Sequence, residues 1–173
     1  SPETAKKLIN LNFSVMLEKN YGKHLGITDE EYKSSGVILQ NSAEQVLEKA
    51  DILLRVNCLS DNEINVIKNK SIMIGQIDPQ LDKEKINKLI KKEINIFSLN
   101  LLPRITRAQS MDVLSSQANL AGYRAVIESV KEFDKVIPMM MTAAGTVTPA
   151  KVLVIGAGVA GLQAIATAKR LGG

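Results

Sequence analysis

Short apolar runs alternate along this chain with segments in which apolar residues return every three or four positions. The runs Asp51–Val56, Ser71–Ile77 and Ile94–Leu99 read as strands, and so does the alternating stretch Phe13–Leu17. Helical segments are expected from Ser1 to about Leu11, after Thr28-Asp29-Glu30-Glu31, from Ser42 to near Ala50, over Ser60–Lys68 and over the lysine-rich Asp82–Lys92. Ser1-Pro2-Glu3 supplies a hydroxyl cap, a proline in the first turn and an acid near the positive end of the dipole. Thr28 and Glu31 have the spacing of a capping box. Strands alternating with helices predict a parallel sheet of βα units, which takes ligands at the carboxyl ends of its strands.

The pattern changes after residue 100. Ser115 to about Phe133 reads as one long helix, with Ala118, Ala121, Gly122 and Ala125 as a small-residue stripe suited to close packing. Pro138-Met139-Met140-Met141 breaks it, and a loop, TAAGTVTPA, leads to the apolar run Val152–Ile155 and a last helical segment. The expected organisation is therefore a βα domain over 1–113, a bridging helix over 114–137 and the start of a second βα domain over 138–173.

Composition narrows the function classes. The 173 residues are 45% hydrophobic and 23% charged, an ordinary globular balance, but only 3% aromatic with no Trp, so the core must come from Ile, Leu, Val, Ala and Met. Net charge is +4, and most lysines stand beside acids on helix faces, as solvated surface does. Few aromatics interleave them, which argues against a nucleic-acid platform. Cys58 and His24 are the sole residues of their types, so no disulfide framework and no Cys/His metal site is expected. Cys58 is expected to be structural. No run of 18 apolar residues marks a membrane span.

The strongest local chemistry is Gly156-Ala157-Gly158-Val159-Ala160-Gly161, G-x-G-x-x-G placed between an apolar run and a helix. Gly156 allows a tight turn, Gly158 lets backbone approach a pyrophosphate, and Gly161 lets helix and strand pack closely. The free N–H groups of Val159, Ala160 and Gly161 then face an anion. An acid for the adenosine ribose is expected about 20 residues further on, and the 173 residues end at Gly173. A second cluster lies in LLPRITRAQSMDVLSSQANLAGYRAV: Arg104, Arg107, Gln109, Asp112, Ser115, Ser116, Gln117 and Tyr123. Asp112 or Ser115 as a helix cap accounts for part of it. A carboxamide-binding set accounts for the same residues, since Asp112 can take an NH₂ while Arg104 or the Ser115 hydroxyl serves the oxygen, and Gln109 can bridge ribose hydroxyls.

With these segments together, PRITRAQSMDVLSSQANLAGYRAV at 103–126, PMMMTAAGTVTPAKVLVIGAGVAGLQAIATAKRLG at 138–172 and SPETAKKL at the start, the chain resembles the NAD(H)-binding component of proton-translocating nicotinamide nucleotide transhydrogenases. The resemblance implies an α/β, Rossmann-like fold cut at both ends. It implies NAD(H) as cofactor, NADP(H) on a partner domain, and hydride transfer from NADH to NADP⁺ coupled to proton translocation through a membrane-spanning component. It further implies a peripheral homodimer on the cytoplasmic or matrix face. Arg104, Gln109, Asp112 and Ser115 match the family's loop around the nicotinamide, Tyr123 matches a tyrosine that supports the Asp, and Gly156, Gly158 and Gly161 match the pyrophosphate turn. Alanine dehydrogenase, of the same two-domain plan, is the nearest alternative. It looks for a lysine where this chain has Asn57 and a histidine near residues 76–80, which here read Gln-Ile-Asp-Pro-Gln. A 2-oxo acid reduction needs a general acid there. A further alternative is that these 173 residues alone form a folded, non-catalytic remnant that binds NAD(H) weakly or not at all.

Overall fold

A computed structural model describes all 173 residues, which divide into two compact units, Ser1–Leu101 and Leu102–Gly173. The first unit begins with α1 (Pro2–Asn10), β1 (Met16–Glu18), α2 (Asp29–Ser34), β2 (Ile38–Gln40) and α3 (Ala43–Lys49). It continues with β3 (Ile52–Arg55), α4 (Asp61–Val66), β4 (Ile72–Gly75), α5 (Lys83–Lys91) and β5 (Asn95–Ser98). Strands β1 and β2 form one parallel pair; β3, β4 and β5 form a parallel sheet in that order, with Leu53 beside Met73 and Met73 beside Ile96. The expected parallel βα architecture is the observed one.

Local chemistry sets the helix starts. Ser1 Oγ accepts from Thr4 N–H, and Thr28 and Glu31 form the reciprocal capping box. Ser60 and Glu63 form a second box at α4. Asp82 stands at the start of α5 but makes no cap; its Oδ2 instead accepts from Asp78 N–H at 3.1 Å. The core of the three-stranded sheet is Leu53 and Met73 with Leu47, Leu59, Ile64, Ile67, Ile77, Leu89 and Ile94. A smaller core joins Ala5, Tyr32 and Val37. Aliphatic residues dominate as composition requires, Tyr32 being the buried aromatic.

Several elements differ from the sequence reading. The first strand lies at Met16–Glu18 rather than Phe13–Leu17, and β2 occupies a stretch with no strand pattern of its own. Gly36, at φ +88, turns the chain from α2 toward β2 in a conformation costly for residues with a Cβ. In the second unit, α6 (Val113–Glu132) is followed by β6 (Met140–Thr142) and β7 (Gly145–Val147), an antiparallel hairpin in what the sequence presents as a break and a loop. Thr142 Oγ1 donates to Gly145 O at 2.9 Å and accepts from Ala144 N–H, closing the turn. Val152–Ile155 forms no ladder. A strand exists only against a neighbour, and no segment lies beside this one, so Leu153 and Ile155 are 85% and 92% exposed. Helix α7 (Val159–Arg170) completes the unit and packs on α6 through Val126, Ala164 and Ala168.

Candidate functional site

The glycine turn has the geometry its spacing implies. Gly156 sits at φ +104. A Cβ on Gly161 would stand 2.0 Å from the Gly156 carbonyl oxygen, so the third glycine is required by the turn itself as well as by its packing near Val154. Gly158 is different. Its φ of −76 suits any residue, and a Cβ there would meet no atom of the protein. The fold makes no demand for glycine at 158; the open space lies outside the protein. Gly158 is also the N-cap of α7 and, having no side chain, leaves the N–H groups of Val159, Ala160 and Gly161 uncapped. Unshielded donors, the positive end of a helix dipole and open space together fit a phosphate.

The second cluster is built on the start of α6. Asp112 is its N-cap: Oδ1 accepts from Ser115 N–H at 3.0 Å, and Oδ2 accepts from the Ser115 hydroxyl at 2.6 Å. The hydroxyl and N–H of Ser115, then the Arg104 charge, hold the Asp112 carboxyl below the ordinary carboxylate range. The group is ionised at neutral pH, an acceptor only, and two of its lone-pair directions remain free. Because the single Ser115 proton is given to Asp112, donation to a carboxamide oxygen falls to Arg104. Arg104 and Gln109 are exposed on the loop before α6. Capping and ligand binding, alternatives in the sequence, are compatible at this one carboxylate. Tyr123 is not brought to Asp112: eleven residues along one helix separate them by about 16 Å.

Gly122, which the sequence shows only as part of a small-residue stripe, connects the two clusters. A Cβ on it would stand 2.1 Å from the Ala160 carbonyl oxygen. Val126, one turn on, packs with Ala164 and Ala168. Contacts that advance together along both helices mean that α6 and α7 run side by side in the same direction. The first turns of α6, with Asp112 and Ser115, therefore project beyond the start of α7.

The sequence matches the family model for the alanine dehydrogenase/PNT N-terminal domain over residues 1–121 and that for the alanine dehydrogenase/PNT C-terminal domain over 125–173. The chain belongs to the alanine dehydrogenase/PNT family. Within this family it is 47% identical over 177 residues to an NAD(P) transhydrogenase subunit alpha chain of Rhodospirillum rubrum, covering 99% of this chain and 46% of that one. A solved transhydrogenase structure from Sinorhizobium meliloti superposes with a TM-score of 0.92 at 49% identity, over 99% of this chain and 51% of the other. An L-alanine dehydrogenase structure shares the fold, with a TM-score of 0.80 at 20% identity over 99% and 48% of the two chains. The chain thus spans about half the length of these relatives.

The family's two activities differ in their need for an acid, and the first unit bears on that difference. At the carboxyl ends of β3, β4 and β5 lies a cleft of about 320 Å³ lined by Asn57, Cys58, Gln76, Asp78, Asp82, Lys85 and Asn100, among others. Asn57 and Gln76 do meet in one cleft, as the alternative required of the residues at those positions, but as carboxamides. The cleft holds no histidine. Asp78 accepts from Gln80 N–H and Leu81 N–H, and Lys85 lies 3.8 Å from Asp82. Burial, then the Asp82 charge, pushes the Cys58 thiol up. No helix of the chain is long and apolar enough to cross a membrane.

Proposed function

We propose that this chain is the NAD(H)-binding part of a proton-translocating transhydrogenase, an oxidoreductase of the Re/Si-specific class that passes hydride between NADH and NADP⁺. The observation that carries the reading is the pairing, on one packed pair of helices, of an open glycine turn with an ionised, pre-oriented Asp112. When bound, NAD(H) supplies the hydride. The protein's part is positioning, since transfer between two nicotinamides moves no proton to or from a side chain.

In this reading Val159, Ala160 and Gly161 donate their N–H groups to the pyrophosphate, and Gly156 and Gly158 leave room for it. Asp112 accepts from the carboxamide NH₂, Arg104 donates to its oxygen, Ser115 keeps Asp112 in place, and Gln109 bridges ribose hydroxyls beside the junction of the two nicotinamides. Tyr123 belongs to the same site without touching Asp112 of its own chain. Residues 114–137 bridge the domain over 1–113 and the nucleotide-binding domain that begins at 138. NADP(H) is held on a partner domain, docked with a membrane-spanning proton-channel component, and the NAD(H) component works as a homodimer at the cytoplasmic or matrix face. These 173 residues alone are inactive in transfer, because no acid follows the glycine turn at the distance the ribose needs. The amide-rich cleft, without a histidine, supports this reading over alanine dehydrogenase. Titration of the full-length protein with NADH and with pyruvate tests it: the account expects saturable NADH binding unaffected by pyruvate. Absence of NADH binding overturns it.

A further inference from the structure

We propose that Gly122 is a positioning residue: it fixes the seating of α6 on the glycine turn, and so sets the separation between the pyrophosphate and nicotinamide ends of the site. The inference rests on the NAD(H) reading above. Its basis is the contact between Gly122 and Ala160. A Cβ on Gly122 would lie 2.1 Å from the Ala160 carbonyl oxygen, 2.9 Å from its carbonyl carbon and 3.0 Å from its Cα. All three are backbone atoms of the first turn of α7, so no rotamer change relieves the contact. Ordinary carbon–oxygen contact requires α6 to withdraw by about 1 Å or more.

The consequence is asymmetric. The turn Gly156–Gly161 is closed by its own contacts, Gly161 against the Gly156 carbonyl, and these do not depend on α6. Asp112 and Ser115 depend on α6 entirely. Ser115 lies seven residues before Gly122, about 10 Å along the helix, which is in the range of the nucleotide half that joins a pyrophosphate to its nicotinamide. Displacing α6 leaves the phosphate end intact and carries the carboxamide partners away from it. A pure packing role for Gly122 predicts no such split.

The experiment is Gly122→Ala in the full-length protein, with ADP and NADH affinities measured by titration and folding followed by thermal melting. ADP carries the pyrophosphate and adenosine but no nicotinamide. The result expected is ADP affinity within about twofold of wild type, NADH affinity lowered roughly tenfold, and hydride transfer lowered about 100-fold, the scale of a 1 Å misplacement. If Gly122→Ala does not fold, the double variant with Val126→Ala makes room at the next turn, where Val126 meets Ala164 and Ala168, and the same split is expected. Unchanged affinity for both ligands overturns the inference. Equal loss of both in a folded variant also overturns it, since Gly122 then serves the turn alone. A wild-type protein that binds neither ligand overturns the NAD(H) reading itself.

Discussion

Ser115 has one hydroxyl proton, and Asp112 Oδ2 takes it at 2.6 Å, so the carboxylate is fixed before any ligand arrives. Asp112→Asn removes the charge and replaces one acceptor with a donor that faces Ser115. Hydride transfer by the full-length protein is expected to fall by about 1–3 kcal/mol, the range for one charge-assisted hydrogen bond, in a steady-state assay. An unchanged rate and NADH affinity contradict the assignment. Gly158→Val separates fold from function in another way. Because a side chain at 158 meets nothing in the protein, its melting temperature is expected to stay near wild type while NADH affinity is lost. At this scale the sequence is legible where a residue type has few uses: three glycines at fixed spacing, and an Asp three residues before a Ser. Gly122 does not stand out there. A stripe of small residues says that a close approach is possible, but only the fold shows which of them meets a backbone carbonyl.

Helix α4 is six residues long and depends on one carboxylate. Glu63 accepts from Ser60 N–H and the Ser60 hydroxyl and pairs with Arg55 on β3, joining cap, helix and strand. Its partial burial disfavours the charge, but Arg55 and Ser60 outweigh that and hold the pKa down at about 2, below the ordinary 4.5. A carboxylate depressed by folding stabilises the native state above its unfolded pKa and loses that contribution as pH falls through the folded one. Glu63→Gln is therefore expected to cost about 1–3 kcal/mol at neutral pH by chemical denaturation. The difference from wild type should shrink between about pH 4.5 and 2. A pH-independent difference over that window contradicts this account. Tyr32 gives the opposite sign: its ring is buried against Tyr21 while its hydroxyl has no partner. Tyr32→Phe is expected to be neutral or stabilising by up to about 1 kcal/mol, where a loss of stability shows that the hydroxyl is satisfied. The α/β elements with strong caps or long apolar runs are readable from the sequence. Strand β2 and the β6–β7 hairpin are not, because three-residue strands carry too little periodicity and rest on partners outside the local pattern. Val152–Ile155 has the composition of a strand, yet composition does not supply the neighbour a ladder needs.

At the scale of the whole molecule, two units share one chain, and each carries a polar feature. The cleft of the first is furnished with carboxamides and a thiol pushed toward its neutral form. The second unit presents anion donors and an ionised acceptor on helices that run side by side. Only the second set suits a reaction whose proton balance needs nothing from the protein, and membership of the alanine dehydrogenase/PNT family allows either chemistry. The family and the location of the glycine turn are legible in the sequence, because both rest on contiguous residues. The cleft is legible only as the lack of a lysine and a histidine, since its lining comes from three strand ends and the start of α5. The deciding measurement is hydride transfer by the full-length protein with its NADP(H)-binding partner, following NADH oxidation by an NADP⁺ analogue, with pyruvate and ammonium supplied in a parallel reaction. The account predicts transfer to the NADP⁺ analogue and none to pyruvate; pyruvate reduction without nucleotide-to-nucleotide transfer contradicts it.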